Sequence, residues 1–388
     1  MPQRRHHSPI PLRVREILFV VGEASGDLHA GMVAQAIRAM APDQPMSGIG
    51  GSHMRAAGVE ILEPVENLAV MGFVEVLAHI PKHWMLLRML RERLQGGRVG
   101  LVVLIDYPGF NLKVAEAARR AGVPVLYYIT PQVWAWGADR LPKLAQVITR
   151  AASILPFEEP LLRQHGIDAT FVGHPLLDRA RALPSREAAR TELGLPQDAE
   201  ILAVFPGSRR AELGRHVRPF VETALELQRR RPGLQVIVSV APTVQVSPSE
   251  CPFPLIHGKS FTVLRAATAG LLKSGTTTLE AAVADLPHVI GYRTSAITYG
   301  IARRVVKIPH IGLVNVVAGR EVSREFVQDA FIPSRVADAL EPLLDLSSPV
   351  RVAACQGLAD VRGRLGTAGA AQRVALMATE MISGTGAS

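Results

Sequence analysis

Residues 17–40 read ILFVVGEASGDLHAGMVAQAIRAM, and this stretch decides the fold class. Its first part, Ile17–Val21, is apolar without alternation, which is typical of a strand buried on both faces of a parallel sheet. Its last part, Asp27–Met40, has the spacing of an amphipathic helix. Gly22 and Gly26 permit a tight turn between the two. A strand, a glycine turn and a helix in this order predict the first unit of an α/β domain.

The same alternation continues along the chain. In the first half, a helix is predicted at Leu112–Ala121 and strands are predicted at Leu101–Asp106, Val123–Ile129 and Ser153–Leu155. In the second half, strands and helices alternate again at Glu200–Phe205, Gly214–Arg231, Leu234–Val240, Ala269–Lys273, Gly275–Ala284 and Pro287–Tyr292. The predicted fold class is α/β, with two doubly wound domains that face a central cleft.

The segment 173–186 breaks this pattern and is predicted to link the two domains. We therefore expect a flexible basic arm at residues 1–15, a first domain at 16–180 and a second domain at 186–345. Helices at 346–388 are expected to pack back on the first domain. Because ligands of parallel sheets bind beyond the carboxyl ends of the strands, candidate site residues should directly follow strands.

Composition narrows the class of partner. The 388 residues carry a formal net charge of +9, which attracts nucleic acid, anionic lipid or a phosphorylated substrate. Aromatic residues make up only 5%, so the basic and aromatic interleaving of a nucleic-acid groove is lacking, and no nucleic-acid partner is predicted. Cys251 and Cys355 have no motif spacing, and Met1–Arg15 is not followed by the apolar run of a secretory signal. Both observations favour a reducing cytoplasm.

The turn after the first strand holds the first group of candidate residues. The start of the following helix can bind an anion or a hydroxyl group. The group consists of Gly22, Glu23, Ser25, Gly26 and Asp27. The alternative is a simple turn in which Ser25 or Asp27 caps the helix.

Asp106 stands at the end of a predicted buried strand and is followed by Tyr107-Pro108-Gly109. A carboxylate at the tip of such a strand points into the cleft, where desolvation would raise its pKa and suit it to act as a general base. The alternative is that Asp106 only caps the next helix.

Two tryptophans follow the next strand. Gln132, Trp134 and Trp136 lie in a loop, and exposed indole rings usually cover a sugar face or an acyl chain. The alternative assigns at least one indole to the core.

The second domain has two glycine turns of its own. Ser208 and Arg209 follow a strand, and their amides and guanidinium suit a diphosphate. Gly275 and Thr276 open a helix after another strand, and Glu280 on that helix could accept the two hydroxyls of a ribose. The alternative for Glu280 is a partner of the helix dipole. No His, Cys, Asp or Glu cluster has metal-ligand spacing, so neither a metal nor another cofactor is predicted.

Together, these segments resemble the lipid-A-disaccharide synthase family over about residues 16–330. The matching motifs are Val21–Asp27, Met71–Val76, Thr130–Trp136, Leu155–Glu158, Val172–Leu176, Pro206–Arg209, Ser274–Thr276 with Leu279–Glu280, and His310–Leu313 with Asn315. The resemblance implies the GT-B fold, with two Rossmann-like domains.

It also implies an inverting glycosyltransferase that joins UDP-2,3-diacylglucosamine to 2,3-diacylglucosamine 1-phosphate through a β-1,6 linkage. By motif, Asp106 becomes the base for the acceptor hydroxyl. The implied UDP contacts are Ser208, Arg209, Gly275, Thr276, Glu280, Asn315, Glu325 and Gln328. The implied partners are the two acylated sugars and the inner-membrane surface, with a homodimer left open.

The segment Leu68–Leu90 combines apolar bulk with basic flanks, which is typical of a segment that lies in a membrane interface. It is expected to hold the protein at the cytoplasmic face of the inner membrane. The alternative is a buried core helix.

Two other functions compete with this interpretation. The first is another GT-B enzyme, either a UDP-N-acetylglucosamine transferase or an epimerase, and the Gly22–Asp27 turn together with the Gln132–Trp136 loop argues against it. The second is a basic, non-catalytic nucleic-acid-binding protein, which the composition disfavours.

Overall fold

The computed structural model describes residues 15–67, 73–137, 140–296, 298–300 and 309–384, without the side chains of residues 73–80 and 136. The predicted arm, apart from Arg15, and the start of the Met71–Val76 motif lie outside the described residues. The described chain forms two parallel sheets, and the strands are β1 (Glu16–Val20), β2 (Met46–Gly50), β3 (Glu60–Pro64), β4 (Val99–Ile105), β5 (Val125–Tyr128), β6 (Arg150–Ser153), β7 (Asp168–Phe171), β8 (Ile201–Phe205), β9 (Gln235–Val240), β10 (Leu255–His257), β11 (Ala269–Lys273), β12 (His288–Tyr292) and β13 (Glu325–Val327).

Helices connect the strands and cover the sheets. They are α1 (Ala24–Met40), α2 (Ser52–Ala56), α3 (Phe73–Gln95), α4 (Pro108–Arg120), α5 (Val133–Trp136), α6 (Leu141–Val147), α7 (Glu158–Gln164), α8 (Leu176–Ala180), α9 (Arg186–Glu192), α10 (Arg210–Arg230), α11 (Ser260–Ala266), α12 (Thr277–Val283), α13 (Leu313–Ala318), α14 (Pro333–Leu344), α15 (Pro349–Arg364) and α16 (Ala370–Gly384). No helix in the described ranges combines the length and the apolar character needed to cross a bilayer.

Both sheets are doubly wound. The first has the strand order β3-β2-β1-β4-β5-β6-β7, and the second has β10-β9-β8-β11-β12-β13. The order reverses between β1 and β4 and again between β8 and β11, and ligands of such sheets bind at these two positions. The predicted α/β class with two doubly wound domains is confirmed.

Burial on both faces of the sheet explains why apolar and polar residues do not alternate along β1. Leu18 and Val20 are fully buried on one face of the sheet, and Ile17 and Phe19 are fully buried on the other. A strand covered by helices on both faces needs apolar residues at every position.

Two predicted elements differ from the structure. The strand predicted at Ser153–Leu155 is β6, Arg150–Ser153. The amides of Ile154 and Leu155 donate to the carboxylate of Glu158 and so leave the ladder. The C-terminal helices divide between the domains, because α16 packs on α1 whereas α15 packs on α12 and α13. Of the helices at 346–388 that were expected to pack on the first domain, only α16 does so.

Candidate active site

The end of β4 is conformationally unusual. Asp106 and Tyr107 have backbone φ angles of 47° and 50°, which lie in the left-handed region that few non-glycine residues adopt. The Asp106 carbonyl accepts hydrogen bonds from Asn111 Nδ2 and from the Tyr127 hydroxyl, each at 2.7 Å. These contacts hold the strained turn, as is common where strain serves function.

Asp106 is exposed at this turn. Desolvation by the surrounding protein raises its pKa, an amide hydrogen bond at Tyr107 opposes this, and the negative charge of Glu23 raises it further. A carboxylate with a raised pKa that still reaches solvent has the properties of a general base. Glu23 and Ser25 are also exposed at this edge.

Gly22 leaves room for the ring of Tyr107. A Cβ atom at Gly22 would lie 2.1 Å from the Tyr107 ring, so the ring fits only against glycine. The Tyr107 hydroxyl lies 2.6 Å from Nε2 of His83, which ties the turn to α3. The pairing of Tyr107 with His83 cannot be predicted from the sequence, because two distant segments meet to form it.

Asp27 is buried inside the first domain. Its buried carboxylate accepts hydrogen bonds from the amides of Gly51, His53 and Met54, at 2.6, 2.9 and 3.2 Å. It therefore closes the N-terminus of α2, and its assignment to the cleft is corrected to a structural role. Gly26 is buried beside it and packs on Val21.

The tryptophan loop lies between the domains. Trp134 is half-buried, packs edge-on against Phe157 with ring centroids 4.9 Å apart, and donates from Nε1 to Glu158 at 3.1 Å. It lines a cavity of about 580 Å³ together with Phe157, His310 and Arg364. Gln132 is exposed, and the Trp136 side chain lies outside the described residues.

At the end of β8, the turn amides are occupied. The amides of Ser208 and Arg209 donate to Oε2 of Glu212 at 3.0 and 3.3 Å. Gly207 has a φ of 132°, a conformation that favours glycine. The Arg209 side chain is 74% exposed, and its Nη1 lies 3.5 Å from Oε1 of Glu212.

At the end of β11, a lysine precedes the second glycine turn. Nζ of Lys273 lies 2.9 Å from Oε1 of Glu212, so the two turns share one ion pair. Gly275 has a φ of 155°, and Thr276 is exposed. The sequence motif predicts this turn but no role for Lys273.

Glu280 lies where the domains meet. Its Oε2 accepts from the Ser260 hydroxyl at 3.2 Å, and its Oε1 lies 3.7 Å from Arg179, on α8. Burial raises the pKa of Glu280, while Arg179 and Ser260 oppose the shift. The carboxylate therefore belongs to the interdomain surface.

Three residues with implied UDP contacts have their polar atoms engaged within the protein. Asn315 is buried and bonds to the backbone of Val322 and Ser323 and to Glu325. Glu325 accepts from the amides of Ile311 and Gly312, at 3.0 and 2.9 Å, and so closes the N-terminus of α13.

Gln328, the third, bonds to both backbone groups of Thr294. In this structure the three side chains hold the surrounding loops, and direct UDP contact by Asn315, Glu325 and Gln328 stays a prediction.

Comparison with known proteins identifies the family. A family model described as lipid-A-disaccharide synthetase matches residues 17–356. The lipid-A-disaccharide synthase of Syntrophotalea carbinolica is 40% identical over 378 residues, which cover 95% of each chain. The enzyme of the same name from Myxococcus xanthus is 39% identical over 373 residues, which cover 94% of this chain and 97% of its own. The chain belongs to the lipid-A-disaccharide synthase family.

Solved structures show the fold of this family member. The calicheamicin glycosyltransferase CalG4 superposes with a TM-score of 0.60 at 17% identity and covers 96% of this chain and 99% of its own. The UDP-GlcNAc 2-epimerase of Methanocaldococcus jannaschii, solved with UDP-GlcNAc and UDP, gives 0.60 at 13% identity, with 94% and 99% coverage. The fold is GT-B, as the resemblance implied.

Proposed function

We propose that this lipid-A-disaccharide synthase family member condenses UDP-2,3-diacylglucosamine with 2,3-diacylglucosamine 1-phosphate to give the β-1,6-linked disaccharide 1-phosphate and UDP. The observation that carries the proposal is the strained, solvent-reaching Asp106 with its raised pKa at the switch point of the first sheet. Family membership supports the choice of substrates.

In the proposed reaction, Asp106 takes the proton of the acceptor 6-hydroxyl. The acceptor oxygen then bonds to the anomeric carbon of the donor as the bond from that carbon to the diphosphate breaks. UDP leaves with the electron pair of that bond, and attack from the opposite face inverts the anomeric centre. A positioned base of this kind supplies about 10²–10⁴ of the rate.

Second-domain residues are proposed to bind the donor. The exposed Arg209 side chain suits the diphosphate, Gly275 lets the turn approach it closely, and Thr276 is exposed at the same turn. Glu280 is positioned for the ribose hydroxyls once it separates from Arg179.

We propose that the reaction needs no metal. In the described part of the chain, no three His, Cys, Asp or Glu side chains gather as metal ligands. Arginine and oriented amides would then stabilise the charge on the leaving diphosphate.

We also propose that the protein associates with the membrane surface through α3. Trp84 and Met85 are 64% and 72% exposed. The same helix carries two cations, Lys82 and Arg88, which pair with Glu63 and Glu92. Exposed apolar side chains flanked by cations bind the interface of an anionic bilayer. The side chains of residues 68–80, the first part of the predicted interfacial segment, lie outside the described ones. The homodimer stays a prediction.

The experiment that tests the function incubates the purified chain with both acylated substrates and measures the disaccharide product. Omission of the acceptor should abolish UDP release, and an acceptor that lacks the 6-hydroxyl should not be glycosylated. An epimerase would instead change the donor sugar without an acceptor, and that result would overturn the proposal.

A further inference from the structure

One carboxylate fills the turn that was predicted to bind the donor diphosphate. Glu212, in the first turn of α10, reaches back to accept from the amides of Ser208 and Arg209. The same carboxylate lies 3.5 Å from Nη1 of Arg209. An anion therefore contacts both the backbone and the side-chain donors of this turn.

The same carboxylate also joins the two glycine turns. Its Oε1 lies 2.9 Å from Nζ of Lys273, and both side chains are less than a fifth exposed. Lys273 ends β11, beside the switch point of the second sheet. A Cβ atom placed at Gly275 would lie only 3.5 Å from Nζ, so the ammonium sits directly above the second turn.

The shape of the first turn depends on this carboxylate. A Cβ at Gly207 would lie 2.8 Å from Glu212 Oε2, so glycine leaves room for the carboxylate to fold over the backbone. The space accepts an oxygen anion bound by two amides, an ammonium and a guanidinium. Carboxylate and phosphate oxygens use the same donors with similar geometry.

We propose that Lys273 binds the donor diphosphate and that Glu212 is the internal anion which this diphosphate replaces. The inference rests on the proposed function and adds a residue and an exchange step to its donor site. Two negative groups cannot share one ammonium and two amides without strong repulsion, so the donor displaces Glu212 from its partners. No covalent bond changes in this step.

The competing explanation is that Glu212 only caps α10 and Lys273 only neutralises it. The two explanations make opposite predictions for Glu212→Gln. Glutamine keeps an oxygen that accepts from the turn amides but carries no charge. If Glu212 is only a cap, the substitution should leave UDP affinity unchanged or lower it. If Glu212 competes with the diphosphate, the substitution should raise UDP affinity.

The test measures UDP and uridine affinity of the full-length chain by isothermal titration calorimetry. Glu212→Gln should bind UDP more tightly, by about threefold to tenfold, because the competing charge is gone. Lys273→Met should bind UDP about tenfold more weakly, and Lys273→Arg should restore most of the loss. Uridine, which has no phosphate, should bind all variants alike.

Two substitutions serve as matched controls. Glu222→Gln removes an acid that pairs with Arg218 farther along α10, and Lys143→Met removes a lysine that pairs with Glu116 in the first domain. Neither should change UDP affinity. Circular dichroism and thermal melting check that each variant folds.

Unchanged or weaker UDP binding by a folded Glu212→Gln variant would overturn the exchange. Unchanged binding by Lys273→Met would overturn the role of the lysine and does not depend on the stability of the Glu212 variant. Failure of the unsubstituted chain to bind UDP would overturn the donor site itself, so the two failures can be told apart.

Discussion

The two sheet edges that border the proposed site share a topology but differ in chemistry. At the first edge, Asp106 and Tyr107 follow β4 with left-handed backbones, and the carboxylic acid of Asp106 has a raised pKa. At the second edge, the equivalent strand β11 ends in Lys273 and a glycine turn, where an ion pair balances the charges. A base needs a carboxylate that is poorly stabilised as an anion, whereas a diphosphate needs donors that stabilise anions. One fold supplies both environments through the residues that follow equivalent strands.

The largest effect is expected at the first edge. Asp106→Asn keeps the side-chain shape and removes its basicity, so turnover should fall by about 10²–10⁴ while UDP affinity is unchanged. Single-turnover kinetics and calorimetry measure the two quantities. Asp43→Asn, an exposed change in a loop of the same domain, is the matched control. Near-normal turnover would reduce Asp106 to a turn residue and remove the contrast between the edges.

Acid should destabilise both domains. Burial lowers the pKa values of His29, His216 and His288 to about 4 and that of His174 to about 3. The unfolded chain binds these protons at about pH 6.5 whereas the folded chain does not. Stability from these groups is therefore complete above about pH 6.5 and is lost as pH falls toward 4, by about 1.4 kcal/mol per pH unit for each histidine.

Urea unfolding between about pH 7 and pH 5 measures this loss. His288→Gln should reduce the pH dependence by the share of one histidine. An equal slope in the unsubstituted chain and in this variant would show that other groups cause the acid sensitivity.

At the second edge, Arg209→Ala should weaken UDP binding by about tenfold and slow turnover, because it removes a guanidinium from the diphosphate. Calorimetry with UDP measures the loss, and the exposed Arg218→Ala on α10, the helix that follows Arg209, is the control. If UDP affinity and turnover both stay normal, the diphosphate binds elsewhere, and the second edge does not supply its donors.

A smaller effect is expected on the outer surface of the first domain. Trp84→Ser with Met85→Ser should reduce binding to anionic vesicles several-fold and leave the melting temperature nearly unchanged, because both side chains are exposed. Leu346→Ser, an exposed change in the other domain, is the control in vesicle sedimentation. A much lower melting temperature for the double variant would place these side chains in the core instead.

The smallest effect should come from EDTA. If arginine and amides stabilise the leaving group at the second edge, chelation should leave the rate within about twofold of its starting value. The disaccharide assay with and without EDTA measures this. Complete loss of activity that magnesium restores would contradict the metal-free proposal.

The glycine turns and the acid at the end of β4 could be predicted from the sequence, because each depends on neighbouring residues. The hydrogen bonds of Asp27, Asn315 and Glu325 could not, because their side chains accept from backbone amides that lie in other segments. The same polar residue types can bind a ligand or accept from the amides at the start of a helix. Only the position of the backbone amides in the folded chain distinguishes the two cases.

By itself, the sequence determined the fold class, the family and the position of Asp106. Apolar runs without alternation require a sheet covered on both faces, and ordered motifs after strands converge at one edge of each sheet. Tertiary structure alone decided which charges meet. Lys273 and Glu212 come together because parallel pairing sets β8 beside β11, and Arg179 reaches Glu280 because α8 crosses to the second domain. Packing between distant segments determines these contacts, so they cannot be predicted from neighbouring residues in the sequence.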